Sequence, residues 1–123
     1  MYHVERAGQN KFEYANLHGG KGNISVQRYF EKFHDWNCDI DIWKLAPGVT
    51  EGAHKHDESD PEYGLMDEIY VVLDGSAEMT IDGSIEHLEK GDAVICKAGS
   101  DHSLTNVGET NLRILFISDP DLK

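Results

Sequence analysis

Short segments in which apolar and polar residues alternate, separated by turn residues, run through most of the chain. Segments 24–30 and 38–42 alternate in this way, which is typical of half-buried β-strands. Further strands are predicted over 68–73, 77–81, 93–96, 102–106 and 112–117, with turn signals such as Pro47-Gly48 and Asp74-Gly75 between strands. Short strands with regular punctuation favour an antiparallel sandwich or barrel.

The length and the N-terminal composition predict one domain with an arm. A chain of 123 residues is long enough for a single domain with its own core. No stretch has the long apolar stripe of an amphipathic helix, and the segment up to residue 23 is polar, with glycines clustered at 19–22. We therefore expect an N-terminal arm and edge strand over residues 1–34 and a barrel over residues 35–123.

The charge balance excludes several classes of partner. The chain has 23 Asp and Glu residues against 11 Lys and Arg residues, a formal net charge of −12. Nucleic-acid binding draws on clustered basic residues, and anionic membranes also attract them, so neither partner is expected. The N-terminus lacks a signal-peptide pattern and no apolar run is long enough to span a membrane, which predicts a cytoplasmic protein.

Three histidines and one glutamate lie in extended segments or at the start of predicted strands. His54 and His56 are two residues apart, so in an extended strand their side chains share one face. Glu68 begins a strand whose inward set also holds Tyr70, and a buried carboxylate there needs a partner such as a metal ion. His102 begins another strand. Three imidazoles and a carboxylate suit a divalent Fe, Mn, Co, Ni, Cu or Zn ion better than Mg or Ca.

The neighbouring polar and aromatic residues have two interpretations. Tyr70 is by default a core aromatic residue, and the alternative is that its hydroxyl binds substrate and takes part in catalysis. Asn106 is more typical of a structural amide than of a catalyst. The remaining histidines have no motif around them, and we expect ordinary surface or packing roles for His3, His18, His34 and His87.

These residues carry a family resemblance. The stretch Gly48-x5-His54-x-His56, followed by Glu68-x6-Gly75, resembles the first motif of the cupin superfamily, and Gly91-x5-Lys97-x-Gly99-x2-His102-x3-Asn106 resembles the second. The resemblance implies an all-β fold, a small jelly-roll barrel or double-stranded β-helix like that of single-domain bacterial cupins. It also implies one divalent transition metal ion held inside by His54, His56, Glu68 and His102.

The chain departs from the family pattern in two places. Residues 57–67 separate His56 from Glu68, where the family usually has only a few residues. Glu62 in this insertion is an alternative carboxylate ligand, but only Glu68 keeps the spacing to Gly75 and begins a strand. The inserted acids have two interpretations: a solvated loop, or a lid that overhangs the site. If they overhang it, they disfavour multiply charged anions, and we then expect a neutral, cationic or at most weakly anionic substrate. The second departure is Lys97, where the family commonly has proline.

The resemblance implies a function without fixing the reaction. We expect a metal-dependent enzyme that acts on a small oxygenated metabolite as an isomerase, lyase, decarboxylase or dioxygenase. The alternative is a non-catalytic cupin module that binds or senses a small molecule. A homodimer is expected because small cupins commonly pair and open sheets leave edges that need cover, with segment 24–30, Tyr29 and Phe33 as the contact.

Overall fold

The computed structural model describes residues 1–60 and 63–120 as an almost entirely β-structured chain. Within these residues there is one 3-10 turn, at Leu17–Gly19, and ten strands. The strands are β1 (Lys11–Ala15), β2 (Asn23–Arg28), β3 (Asp39–Leu45), β4 (Thr50–His54), β5 (Met66–Asp74), β6 (Ala77–Ile81), β7 (Ser84–Leu88), β8 (Ala93–Cys96), β9 (His102–Asn106) and β10 (Leu112–Pro120).

The strands form two antiparallel sheets, which confirms the predicted all-β class. The larger sheet has the order β1-β2-β3-β10-β5-β8 and the smaller has the order β4-β9-β6-β7. All seven segments predicted from alternation overlap a strand, and the strands outside them are β1, which lies in the expected N-terminal arm and edge strand, β4 and β7. Four of the five residues of β7 are exposed at the edge of the smaller sheet, so they carry no burial pattern.

The core lies between the sheets and is built from alternate residues of their strands. Along β5, Glu68, Tyr70 and Val72 are buried while the residues between them are only partly buried, as predicted. The ring of Trp43 stacks on Phe116 at 4.2 Å and meets Tyr70 edge-on at 6.1 Å. These aromatic rings form the part of the core that adjoins the predicted metal ligands.

Two polar side chains, those of Asn106 and Arg28, form hydrogen bonds that hold strand ends and neighbouring strands in place. The amide of Asn106 donates to the carbonyl oxygens of Leu45 and Thr110, both at 2.9 Å, and accepts from the N–H of Gly108. Asn106 is therefore a structural amide, as predicted. The guanidinium of Arg28 on β2 binds the fully buried Asp41 on β3 through two hydrogen bonds of 2.9 and 3.0 Å.

A glycine of the first motif is required by its surroundings. Gly75 follows β5 with a φ of +89°, and a Cβ there would lie 2.8 Å from the carbonyl oxygen of Asn111. Only a residue without a side chain fits this turn.

No helix within residues 1–60 and 63–120 has the length and apolarity needed to cross a membrane.

Candidate metal centre

The four residues of the predicted ligand set lie together at one end of the core. Oε1 of Glu68 is 2.8 Å from Nε2 of His102, 3.4 Å from Nε2 of His56 and 3.7 Å from Nε2 of His54. All four side chains are at most 8% exposed. One carboxylate oxygen therefore faces three imidazole nitrogens in a region that bulk water barely reaches.

Strand pairing brings these side chains together. His54 ends β4 and is the register partner of His102, which begins β9. Glu68 lies on β5 in the other sheet, so it approaches the pair from across the core. His56 lies two residues beyond the end of β4, and its ring nonetheless reaches the same carboxylate oxygen.

Each imidazole is oriented by a hydrogen bond at its other nitrogen. Nδ1 of His54 lies 2.8 Å from the carbonyl oxygen of Gly52, and Nδ1 of His102 lies 3.0 Å from that of Ser100. Nδ1 of His56 lies 2.6 Å from a carboxylate oxygen of Asp60. Because these acceptors need an N–H donor, Nδ1 of each ring carries a proton. Nε2 of His54 and of His56 is then the unprotonated nitrogen that faces the centre, whereas Nε2 of His102 forms a hydrogen bond with Glu68.

The donor set fits a transition metal ion. The Nε2 atoms of His54 and His56 are buried and have no hydrogen-bond partner among the described residues, a situation that is costly unless a ligand binds there. Burial acts to raise the pKa of Glu68, but its interactions with His102, His54 and His56 outweigh burial and lower the pKa to about 2. An ionised carboxylate facing imidazole nitrogens is suited to bind a divalent cation.

A second carboxylate, that of Glu51, adjoins the centre. Glu51 is 1% exposed, and its Oε2 lies 3.5 Å from Nε2 of His54. Its other oxygen accepts a 2.7 Å hydrogen bond from the hydroxyl of Tyr70. Burial raises the pKa of Glu51 to about 7. Tyr70, the residue predicted as a core aromatic or a catalytic hydroxyl, is fully buried and contacts the centre through Glu51.

Sequence reasoning missed Glu51 because of a bulge in β4. Simple alternation from His54 places Gly52 and Thr50 on the inward face, and Glu51 on the opposite face. The pairing of β4 with β9 shifts register between Glu51 and His54. The extra residue reverses the alternation, so both side chains point into the core. The sequence around Gly52 does not specify this bulge, because it depends on how β4 pairs with β9.

A fourth imidazole, that of His18, also lies against the centre. His18 belongs to the 3-10 turn and is exposed, and its ring stacks on that of His54 at 3.6 Å with 13° between the planes. Burial and the nearby imidazoles of His54 and His56 lower the pKa of His18 to about 4. The sequence predicted only an ordinary surface or packing role for His18. Its contact with His54 was missed because it depends on how the N-terminal arm folds back.

A cavity of about 130 Å³ opens beside these residues. Its lining combines polar groups of the centre with aromatic and charged side chains from the larger sheet, and includes His18, Arg28, Trp43, Glu51, Glu68 and Phe116. A space of this volume admits a molecule of only a few non-hydrogen atoms. Since His56 and Glu68 of the ligand set also line it, the cavity adjoins the candidate metal position and offers room for one small ligand.

The described acids of the insertion do not all lie at one place, since Asp60 contacts His56 of the centre whereas Asp57 and Glu58 lie elsewhere. Asp57 and Glu58 line a separate surface depression with Ser59 and Leu65, not the cavity. Of residues 57–67, the described ones that line the cavity are Tyr63 and Met66. The alternative carboxylate, Glu62, lies outside the described residues. The expectation that the inserted acids overhang the cavity is therefore not met by Asp57 and Glu58.

Comparisons with known proteins give a consistent picture. The family model described as Cupin domain matches residues 41–118. An oxalate-binding protein of Thermotoga maritima is 30% identical over 105 residues, which cover 84% of this chain and 81% of that protein. The crystal structure of a predicted oxalate decarboxylase from Thermotoga maritima is similar with a TM-score of 0.80 and 27% identity, covering 96% of this chain and 99% of that one.

A more distant structure shows the fold alone. A Cupin 2 conserved barrel domain protein from Salinispora arenicola superposes with a TM-score of 0.74 at 21% identity. The superposition covers 98% of this chain and 90% of the other. The strand arrangement is thus shared over nearly the whole length, including the N-terminal strands that lie outside the matched family model.

Proposed function

Because this chain belongs to the cupin domain family, as its motifs predicted, we propose that it is a metal-dependent enzyme acting on a small oxygenated metabolite. One observation carries the proposal. The Nε2 atoms of His54 and His56 are buried without a hydrogen-bond partner among the described residues and lie within 3.7 Å of one oxygen of Glu68. We propose that His54, His56, Glu68 and His102 hold one divalent Fe, Mn, Co, Ni, Cu or Zn ion.

The residues around the ligand set have separate roles in this proposal. Such an ion, when bound, polarises a carbonyl or carboxylate oxygen or lowers the pKa of bound water. Asp60 fixes the ring of His56 through their 2.6 Å hydrogen bond. Glu51 is the residue proposed to hold a proton beside the bound ligand. Tyr70 positions the Glu51 carboxyl group through the 2.7 Å hydrogen bond. Tyr70 is thus proposed to act through Glu51 and not on the ligand itself.

The ligand class is proposed from the cavity and from one relative. A volume of about 130 Å³ beside the centre limits the ligand to a few non-hydrogen atoms, and two neighbouring oxygens would let it occupy two positions on the ion. The relative named as an oxalate-binding protein supports a small acid of this kind, in place of the neutral, cationic or weakly anionic ligand expected from an acidic lid. The same name supports the alternative function, a cupin that binds such an acid without converting it.

Turnover assays on metal-loaded protein test the enzyme proposal. We expect a panel of small oxygenated acids and sugars to yield one converted compound, detected by NMR, with wild-type protein and with the control variant His87→Ala. His54→Ala and Glu68→Gln should abolish conversion. Conversion that survives in both ligand variants would contradict the proposal. A metabolite retained unchanged in native mass spectra, with no conversion across the panel, would favour the binding module.

We also propose that the protein is a homodimer. Phe33 is 54% exposed, and β1 leaves an open edge on the larger sheet, whereas β2 is paired on both sides. The N-terminal region therefore offers both an apolar side chain and a free strand edge to a second copy. Light scattering after size exclusion at micromolar concentration should give twice the chain mass, and a monomer mass would contradict the proposal.

A further inference from the structure

The 3-10 turn of the N-terminal arm places His18 at the mouth of the cavity. We propose that a ring nitrogen of His18 hydrogen-bonds the small oxygenated molecule bound at the metal centre, which makes His18 a residue that determines ligand affinity. This inference rests on the proposed function, because it requires a ligand at the centre. It extends that function to a residue that lies outside both sequence motifs.

The position of the ring supports contact with a ligand. His18 lines the cavity, stacks on His54 at 3.6 Å and meets His56 edge-on at 5.8 Å. One ring nitrogen lies within 4.8 Å of donor atoms of both histidines. No described residue hydrogen-bonds the ring of His18, whereas each of the three imidazoles of the ligand set has a partner at Nδ1. Its nitrogens thus remain available to a molecule in the cavity.

Ring geometry argues against His18 as a further ligand of the same ion. An imidazole nitrogen binds a metal through a lone pair that lies in the ring plane. The planes of His18 and His54 are only 13° apart, and the ring centres are 3.6 Å apart. An ion in the plane of His54 therefore lies well out of the plane of His18. A molecule attached to the ion and extending toward the solvent comes within reach of the His18 nitrogens instead.

The backbone of the arm holds His18 in a conformation that ordinary residues avoid. His18 has φ 53° and ψ 35°, in the left-handed region, and Asn16 before it is also left-handed. The loop is closed by a hydrogen bond from the N–H of Asn16 to the carbonyl oxygen of Gly22. It is tied to β4 by two hydrogen bonds between Lys21 and Thr50, of 2.8 and 2.9 Å. Strain of this kind persists only where the surroundings impose it.

Two glycines allow the arm to approach β4 this closely. A Cβ on Gly52 would collide with the carbonyl oxygen of His18, and a Cβ on Gly20 would collide with the carbonyl oxygen of Thr50. The carbonyl oxygen of Gly52 also accepts the hydrogen bond that orients His54. The same glycine therefore sets the positions of both stacked rings, which explains how an exposed residue of the arm is kept in a fixed relation to the centre.

Ligand titration of the cobalt-loaded protein tests the inference. Oxalate serves as the probe, and calorimetry measures Co²⁺ and oxalate binding to wild type, to His18→Phe and to the control His87→Ala. Phe keeps a ring that can stack on His54 and removes both nitrogens. We expect unchanged Co²⁺ affinity and about tenfold weaker oxalate binding for His18→Phe, the effect of one lost hydrogen bond, and wild-type values for His87→Ala.

The other outcomes separate this inference from the proposed function. Oxalate affinity of His18→Phe within about twofold of wild type would overturn the contact, as would wild-type protein that binds Co²⁺ and no oxalate. Loss of Co²⁺ affinity in His18→Phe would overturn it in favour of a metal-ligand role. Wild-type protein that binds no Co²⁺ would instead remove the proposed function itself. Gly52→Ala, which must displace the His18 carbonyl, should reproduce the weaker oxalate binding if thermal unfolding shows that it folds.

Discussion

Oε1 of Glu68 lies 2.8 Å from Nε2 of His102, and the two residues are 34 positions apart in the chain. β5 carries Glu68 in the larger sheet and β9 carries His102 in the smaller sheet. The contact therefore joins the two sheets at the candidate metal centre. Both side chains are almost completely buried. The distance between the carboxylate oxygen and the imidazole nitrogen is therefore set by how the sheets pack and not by loop conformation.

Asp60→Asn should weaken metal binding without unfolding the protein. Asp60 holds Nδ1 of His56 at 2.6 Å and is not itself in the proposed ligand set. Partners of this kind orient the ring and raise its basicity, so their loss lowers metal affinity by about 10-fold to 100-fold, and the conservative amide is expected near the lower figure. Calorimetric titration with Zn²⁺ measures the change. Asp57→Asn is the control because the Asp57 carboxylate contacts Ser59 and the exposed Lys55 and none of the proposed metal ligands, and equal affinities for both variants would contradict the orienting role.

Tyr70→Phe should lower the free energy of unfolding by about 1 to 3 kcal/mol. The change removes the hydroxyl that donates a 2.7 Å hydrogen bond to Oε1 of Glu51 and leaves a buried carboxyl group without that partner. Urea unfolding of metal-free protein measures the loss. Tyr29→Phe, at a partly exposed position, should change the free energy by less than about 0.5 kcal/mol, and a similar loss in both variants would show that the Glu51 contact has no special weight.

Arg28→Ala should cost about 3 kcal/mol of unfolding free energy. Asp41 is fully buried, and burial raises its pKa while Arg28 opposes that effect. Removing the guanidinium leaves the carboxyl group buried without its charged partner. Arg113→Ala breaks an exposed ion pair of similar length with Asp74 and should cost less than about 1 kcal/mol. Chemical denaturation of the two variants compares them, and equal losses would contradict the importance of burial.

Gly75→Ala should destabilise the fold more than Gly83→Ala. Both glycines have positive φ, of +89° and +84°, and placing alanine in that region costs about 1 to 2 kcal/mol. A Cβ on Gly75 additionally lies 2.8 Å from the carbonyl oxygen of Asn111, whereas a Cβ on Gly83 meets nothing within 4 Å. Thermal unfolding of the two variants gives the difference directly. Equal melting temperatures would mean that the strand ends relax to accommodate the methyl group.

The structural features that depend only on the local order of residues along the chain could be predicted from the sequence. The alternation in β5 predicted that Glu68, Tyr70 and Val72 face inward, and burial confirms it. The motif glycine at 75 marked a turn that no other residue fits. These features follow from the two-residue period of a strand and from backbone sterics, so they can be predicted without knowing which strands are neighbours.

Two residues near the centre could not be found in this way, for different physical reasons. Glu51 turns inward because β4 slips by a residue against β9, and a bulge is a property of the strand pair. His18 meets His54 because the arm folds back and two glycines permit close backbone contact. The run of glycines at 19–22 indicates an unusual backbone path but does not specify where it leads.

Metal stoichiometry tests the central claim most directly. Wild type, Glu68→Gln and the control His87→Ala are dialysed in turn against each of the six divalent ions Fe, Mn, Co, Ni, Cu and Zn, and the bound metal is counted by elemental analysis. His87 is an exposed histidine on β7. We expect about one ion per chain for wild type and for His87→Ala with at least one of these metals, and loss of most of that ion from Glu68→Gln because a charged ligand is removed. Wild-type protein that retains no stoichiometric ion with any of the six metals, or Glu68→Gln that retains as much as wild type, would contradict it.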